Sequence, residues 1–194
     1  KLLADPEDAR HAQRFFKTGK GEYAEGDRFL GIRVPAIRAC AKRHAGLSLV
    51  QTSRLLVSPW HEARLCALFI MVHAYRKAGT EEDREALYRT YLEHRPFINN
   101  WDLVDASAEH IVGAHLFRRD RAILYELAAA PDVWSRRVAI MATFHFIRRD
   151  DFSDTLKLAA GPLLHDPHDL IHKAVGWMLR EVGNRDRAAE TRFL

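Results

Sequence analysis

Apolar residues recur along this chain at three- and four-residue intervals, and alternation with a period of two is almost absent, so the pattern predicts helices and no sheet. Asp5-Pro6 opens a first helix running to Lys17, with Phe15 and Phe16 turned inward. A second begins at Pro35, carries Ile37 and Ala41 on its buried face and stops at Gly46; Ser48 caps a third, through Leu55 and Leu56 to Ser58-Pro59. A fourth runs from Pro59 to Ala78. Its segment Leu65 to His73 reads as buried helix, well short of the roughly 18 apolar residues of a membrane span. Thr80-Glu81-Glu82-Asp83 starts a fifth, with Leu87, Tyr88, Tyr91 and Leu92 at helical spacing. Further helices are expected near 100–116, 119–130, 132–148, 151–164, 169–183 and 185–193.

The helices come in pairs, and the second members start near residues 60, 101, 134 and 170. Steps of roughly 33 to 41 residues fall in the range of two-helix solenoid repeats. A shared trace is a basic residue followed by small ones, as in Arg64-Leu65-Cys66-Ala67 and Arg137-Val138-Ala139, where small side chains let neighbouring repeats stack closely. Such stacking curves an array and lines its inner face with equivalent positions. The expected architecture is an all-α, HEAT-like helical-repeat solenoid forming a single domain over residues 1–194, with Arg64, Asp105, Arg137 and Lys173 along a concave basic groove. A competing reading pairs these charges with one another, for example Asp105 with Arg137.

Asp105 is the exception in that row. In Asn99-Asn100-Trp101-Asp102-Leu103-Val104-Asp105 the i, i+4 spacing puts the Trp101 ring and the Asp105 carboxylate on one helix face, behind an asparagine N-cap. Trp177 follows Lys173 by about one turn. Two aromatic faces flanking a carboxylate can hold a cationic ligand by cation–π contact while the carboxylate offsets its charge; core packing is the alternative for both rings. Trp60 and Trp134 stand at helix starts, where packing explains them. The segment Thr18 to Val34, with four glycines and six charges, reads as a surface loop or as a basic loop, including Lys20 and Arg33, that touches a nucleic-acid backbone.

The rest of the composition narrows the field. The 194 residues, 47% hydrophobic and 29% charged, are ordinary for a globular protein, and a net charge of +4 leans mildly towards a polyanionic partner. Two cysteines, Cys40 and Cys66, form no disulfide framework and read as core residues. The eleven histidines lack zinc-protease spacing, so neither a metal nor a cofactor is expected. Lys1-Leu2-Leu3-Ala4-Asp5-Pro6 has no signal-peptide pattern; it also lacks a methionine, so further residues are expected upstream. A cytoplasmic protein is expected.

Gly19-Lys20-Gly21-Glu22-Tyr23, Phe29-Leu30-Gly31-Ile32-Arg33-Val34-Pro35, Asn100-Trp101-Asp102-Leu103-Val104-Asp105 and Ile171-His172-Lys173-Ala174-Val175-Gly176-Trp177-Met178-Leu179-Arg180-Glu181 occur in this order over nearly the whole chain. In these marks the sequence resembles the DNA alkylation repair family of HEAT-like-repeat alkylpurine DNA glycosylases, the AlkD type. The resemblance implies a monomer that cradles duplex DNA, at the nucleoid in a bacterium, and hydrolyses the N-glycosidic bond of purines alkylated at N3 or N7. It implies Asp105 as the catalytic carboxylate, Trp101 and Trp177 as its flanking rings, and Arg137, in Trp134-Ser135-Arg136-Arg137, as the groove arginine. It also implies Arg33 as a DNA contact; Lys20, Arg64, Arg136 and Lys173 are expected to bind the DNA with it. The family includes members that bind distorted or branched DNA without excising a base, so a non-catalytic DNA-binding protein is the alternative function. A helical scaffold for a protein partner is a third, disfavoured by the basic row.

Overall fold

The structure, a computed structural model, describes residues 4–194, and Lys1-Leu2-Leu3, part of the run read for a targeting pattern, lies outside the described residues. The chain is helical throughout, with no strand among the described residues, and it divides into two compact units after Ala106. None of the described helices is long and apolar enough to cross a membrane.

The first unit contains α1 (Pro6–Phe15), α2 (Val34–Arg43), α3 (Leu49–Leu56), α4 (His61–Lys77), α5 (Glu81–Glu93) and α6 (Trp101–Asp105). Local chemistry sets most of these starts. The Asp5 carboxylate accepts from the Glu7 and Asp8 amides ahead of Pro6, Ser48 and Gln51 form a reciprocal capping box, and Thr80 accepts from the Asp83 amide. The long α4 packs against α2, α3, α5 and α6. It forms the unit's spine, with Ala67, Leu68, Ile70 and Met71 at most 1% exposed. Helix α1 ends sooner than the pattern predicts, because Lys17 adopts φ 53° and turns the chain. Two consecutive residues point about 100° apart on a helix, and here only Phe16 faces inward; Phe15 is 57% exposed. Cys40 and Cys66 are half-buried rather than core residues. They line an apolar cavity of about 400 Å³ between α2 and α4, and burial, then the neighbouring Cys40, pushes the Cys66 thiol up to about 12.

The glycine-rich segment between α1 and α2 is built into the unit. Ala24, Asp27 and Phe29 are buried. The buried Glu62 carboxylate accepts from the amides of Leu30, Gly31 and Ile32 at 2.8–3.2 Å. Gly31 has φ +76°, and a Cβ there would meet the Asp5 carbonyl at 2.0 Å, so the start of α1 can lie against this loop only if residue 31 is glycine.

The second unit contains α7 (Ala114–Leu116), α8 (Ala122–Ala128), α9 (Val133–Ala142), α10 (Phe144–Ile147), α11 (Ser153–Ala160), α12 (Asp169–Arg185) and α13 (Arg187–Phe193). The starts of α4, α6, α9 and α12 match the four pair positions read from the sequence. Two expected helices are divided. The 100–116 stretch gives α6, then a π-helical turn over Glu109–Gly113, then α7. The wider turn sets Gly113 so close to the end of α9 that an added Cβ would lie 2.1 Å from the Ala142 carbonyl oxygen. The 132–148 stretch divides at Thr143, whose hydroxyl donates to the Ile140 carbonyl at 2.7 Å and competes with the helical ladder. Arg121 ties α11 to the start of α8 through Asp151 and Asp154 at 2.8 and 2.7 Å.

Gly113→Ala is expected to destabilise the protein by roughly 1–3 kcal/mol, because backbone must move to admit one methyl group. Gly46→Ala, where nothing lies within 4 Å of an added Cβ, is the control. Urea unfolding of the two variants checks this, and equal midpoints would refute the close approach.

Candidate active site

Helix α6 has only five residues, yet it presents two of the expected site residues together. The buried Asn100 caps it, accepting from the Trp101 amide at 2.9 Å. Leu103 and Val104, both 0% exposed, turn into the unit. Trp101 and Asp105, one helical turn apart, are left half-buried. The Trp101 ring stacks on Phe16 at 5.4 Å between centroids and meets the exposed Phe15 edge-on at 6.0 Å. On α12 in the second unit, Trp177 is also half-buried, packs edge-on against Phe144 at 5.7 Å and donates its indole N–H to Glu181 at 3.0 Å. Trp60 and Trp134 are half-buried too, so exposure alone does not divide the four tryptophans into ligand contacts and packing residues.

The cations expected in one row have different environments. Arg64 is 4% exposed, and its guanidinium donates to the Asp27 carboxylate at 2.6 Å, the Ser58 carbonyl at 2.9 Å and the Asn99 side chain at 3.1 Å. It is consumed inside the first unit and cannot present its charge to a polyanion, which corrects its place in the expected basic row. Arg137 is 5% exposed and donates to the Leu170 carbonyl at 2.5 Å. Arg136 is held by Asp166 at 2.6 Å and by the carbonyls of Ala130 and Pro131. By contrast Lys20 is exposed. Lys173 reaches solvent, paired with Asp169 at 2.6 Å, and Arg33, 80% exposed, pairs with Asp8 at 2.8 Å. Those last three can reach a phosphate; an exposed ion pair exchanges partners at little cost.

Asp27 and His61 carry a buried polar network that ties the loop before α2 to α4 and α6. Neither residue stands out in the sequence: no second histidine follows His61 at zinc-protease spacing, and Asp27 is one charge among several in its loop. His61, 2% exposed, lies between Asp27 (Nδ1 to Oδ2, 2.9 Å) and Asp102 (Nε2 to Oδ2, 2.8 Å). Its ring stacks on Phe29 at 4.5 Å and lies 5.1 Å from Phe16. Burial alone would pull the imidazole down, but hydrogen bonds to Asp102 and Asp27 and the attraction of both carboxylates outweigh it and raise His61 to about 9. Burial works against the Asp27 carboxylate as well, and the His61 hydrogen bond and the Arg64 charge together hold it below the ordinary range. Trp60 immediately before His61 was a usable signal: its ring lies under the Arg28 guanidinium at 4.7 Å, and the His61 amide donates to the Arg28 carbonyl at 2.8 Å. Among the described residues no group of three or more His, Cys, Asp or Glu side chains is arranged to hold a metal ion.

The family model described as DNA alkylation repair enzyme matches residues 1–194. Among solved structures the chain is similar to one described as a predicted DNA alkylation repair enzyme from Enterococcus faecalis, with a TM-score of 0.71 and 18% identity, covering 99% of this chain and 89% of that one. At that identity the likeness is one of fold. No curated protein matches the chain.

Asp27→Ala removes the shared partner of two buried cations and is expected to cost about 3–5 kcal/mol. Because the folded pKa of His61 is raised from 6.5 to about 9, its contribution to stability is complete below pH 6.5, declines as pH rises and is gone above about 9. Thermal melting from pH 6 to 10 should therefore show an alkaline loss that His61→Gln removes; an unchanged slope in that variant would mean His61 is neutral in the folded protein.

Proposed function

Because the chain belongs to the DNA alkylation repair enzyme family, we propose that it is a glycosylase for cationic N3- and N7-alkylated purines in duplex DNA. One observation carries the reading: α6 holds an aromatic ring and a carboxylate one turn apart, both half-buried, on a short helix whose remaining side chains are committed to the interior. Backbone binding alone gains nothing from a carboxylate, which repels phosphates, whereas a sugar that becomes cationic is stabilised by one.

The chemistry asks little more of the protein. An alkylated purine already carries positive charge, so it leaves without being protonated. The bond from C1′ to the base breaks, its electron pair neutralises the purine, and the deoxyribose becomes oxocarbenium-like. Asp105 stabilises that charge and orients a water, which bonds to C1′ and passes its proton to the carboxylate and on to solvent. Trp101 supplies a π-face against the cationic sugar or base, and Trp177 is the second such ring in this reading. Arg33, Lys20 and Lys173 are the cations proposed to meet phosphates. Arg137 and Arg136 serve by holding the first turn of α12 and the segment before it, since their guanidinium groups donate to Leu170 and Asp166 respectively.

Asp105→Asn is expected to abolish most base release from 7-methylguanine duplex while leaving duplex affinity equal or higher. Single-turnover release near the wild-type rate would remove Asp105 from catalysis and leave a non-catalytic DNA-binding protein as the better reading. Arg33→Ala and Lys173→Ala should each lower the log–log salt slope of duplex binding by about 0.9. Arg64→Ala should instead lower the unfolding midpoint, and an unchanged slope in both exposed variants would mean the DNA lies elsewhere.

A further inference from the structure

We infer that His61, clamped between Asp27 and Asp102, is a positioning residue for the reaction proposed above, setting where Trp101 and Asp105 stand by fixing α6 to α4. The inference rests on that reading for the reaction, and on geometry for the positioning.

A five-residue helix cannot hold itself in place: nucleation costs more than its few hydrogen bonds return, so its orientation is set by what grips it. The polar grip on the α6 segment comes from one face of α4. His61 holds Asp102 at 2.8 Å, and Arg64, one turn further along, holds Asn99 at 3.1 Å. Asp102 is the residue after Trp101 and stands three before Asp105, so any displacement of its carboxylate moves the helix that carries both. A second route runs through rings. Phe16 lies against His61 on one side and stacks on Trp101 on the other. His61 has no freedom of its own, because Phe29 covers one face and both ring nitrogens are engaged.

Those two contacts fix the protonation state by geometry. A neutral imidazole has one N–H and one lone pair. It can donate to Asp27 or to Asp102 but not to both, and the second carboxylate would then face a lone pair at 2.8–2.9 Å. Only the imidazolium satisfies both. The charged groups around it agree: Asp27 from the loop and Asp102 from α6 favour the cation, Arg64 on α4 opposes it but is spent on Asp27, and Glu62 on α4 is spent on three loop amides. Asp8, His11 and Arg33 line the far side of the cleft, about 660 Å³, that His61 and Asp102 share. Loss of the proton sets one of the two carboxylates against a lone pair and so loosens the clamp between the loop and α6, and a displacement of about 1 Å in a catalytic group can cost on the order of 100-fold in rate.

The test combines three measurements on wild type, His61→Gln and Asp102→Asn. They are single-turnover base release from 7-methylguanine duplex between pH 6.5 and 10, scored against an enzyme-free control; duplex affinity; and the indole N–H resonance of Trp101, assigned with Trp101→Phe. In wild type, release should fall as pH rises through about 9, with the Trp101 resonance moving over the same midpoint. Folded His61→Gln should bind duplex within about twofold of wild type, release base at least about tenfold more slowly at pH 7, and show neither titration. A purely structural role would lower the melting temperature without that split between binding and release. Wild-type release by folded His61→Gln, or a wild-type Trp101 resonance that ignores pH through 9, overturns the inference. Should His61→Gln fail to fold, Asp102→Asn decides, with slowed release expected and unchanged release overturning it. Should wild-type protein release no base at any pH, the glycosylase reading fails, while the Trp101 titration still upholds or overturns the positioning.

Discussion

Two cations and two carboxylates meet inside the first unit with almost no water around them: Asp27 accepts from both His61 and Arg64, and His61 passes on to Asp102. Ions in such a place are expensive to bury, and they are tolerated only when each finds its opposite at close range. That demand ties three distant stretches of chain together: the loop before α2, the first turns of α4, and the residues that begin α6. Apolar packing would hold these stretches near one another; the ions determine which residue stands opposite which.

The same economy explains why the basic balance of the chain overstates its free positive surface. Arg64 and Arg137 lie at positions that the repeat pattern marks as equivalent, Arg136 stands beside Arg137, and all three spend their donors on the protein, on Asp27 and Asn99, on Leu170, and on Asp166 and carbonyls of the preceding turn. Arginine suits this work because its planar fork can serve several acceptors at once. Positive charge that solvent can reach lies on other residues, including Lys20, Arg33 and Lys173. A count of basic residues in a helical-repeat sequence therefore measures two things together: the joints that hold helices in register, and the charges left over for a partner.

Much of the fold was legible in the sequence because helices announce themselves locally. Asp5-Pro6, Ser48 with Gln51, and Thr80 with Asp83 each fix a start through contacts within a few residues, and the 3.6-residue period carries the rest. Trp101 and Asp105 were legible for the same reason: i, i+4 on one helix is a local relation. Asp27, His61 and Arg64 were not, since which partner each finds is decided over 34 to 41 residues of chain. Periodicity marks a position as interior or exterior but does not say whether a polar side chain there turns in to a counter-ion or out to water. The divisions at Thr143 and at the π-helical turn were hidden likewise, because both depend on a side-chain bond or a neighbouring helix that no window of sequence contains.

The long reach of these ion pairs also bears on how the polypeptide acquires its shape as it is synthesised. Asp27 emerges early, its first partners follow 34 and 37 residues later, and the carboxylate that completes the set comes 41 residues after His61. Until Asp102 has emerged, the imidazole of a nascent chain has only one of its two carboxylates. Contacts of such separation are slow to form compared with the helices they join. The grip of His61 on Asp102 is therefore the contact of this set that closes last, when the segment that carries Trp101 and Asp105 has emerged.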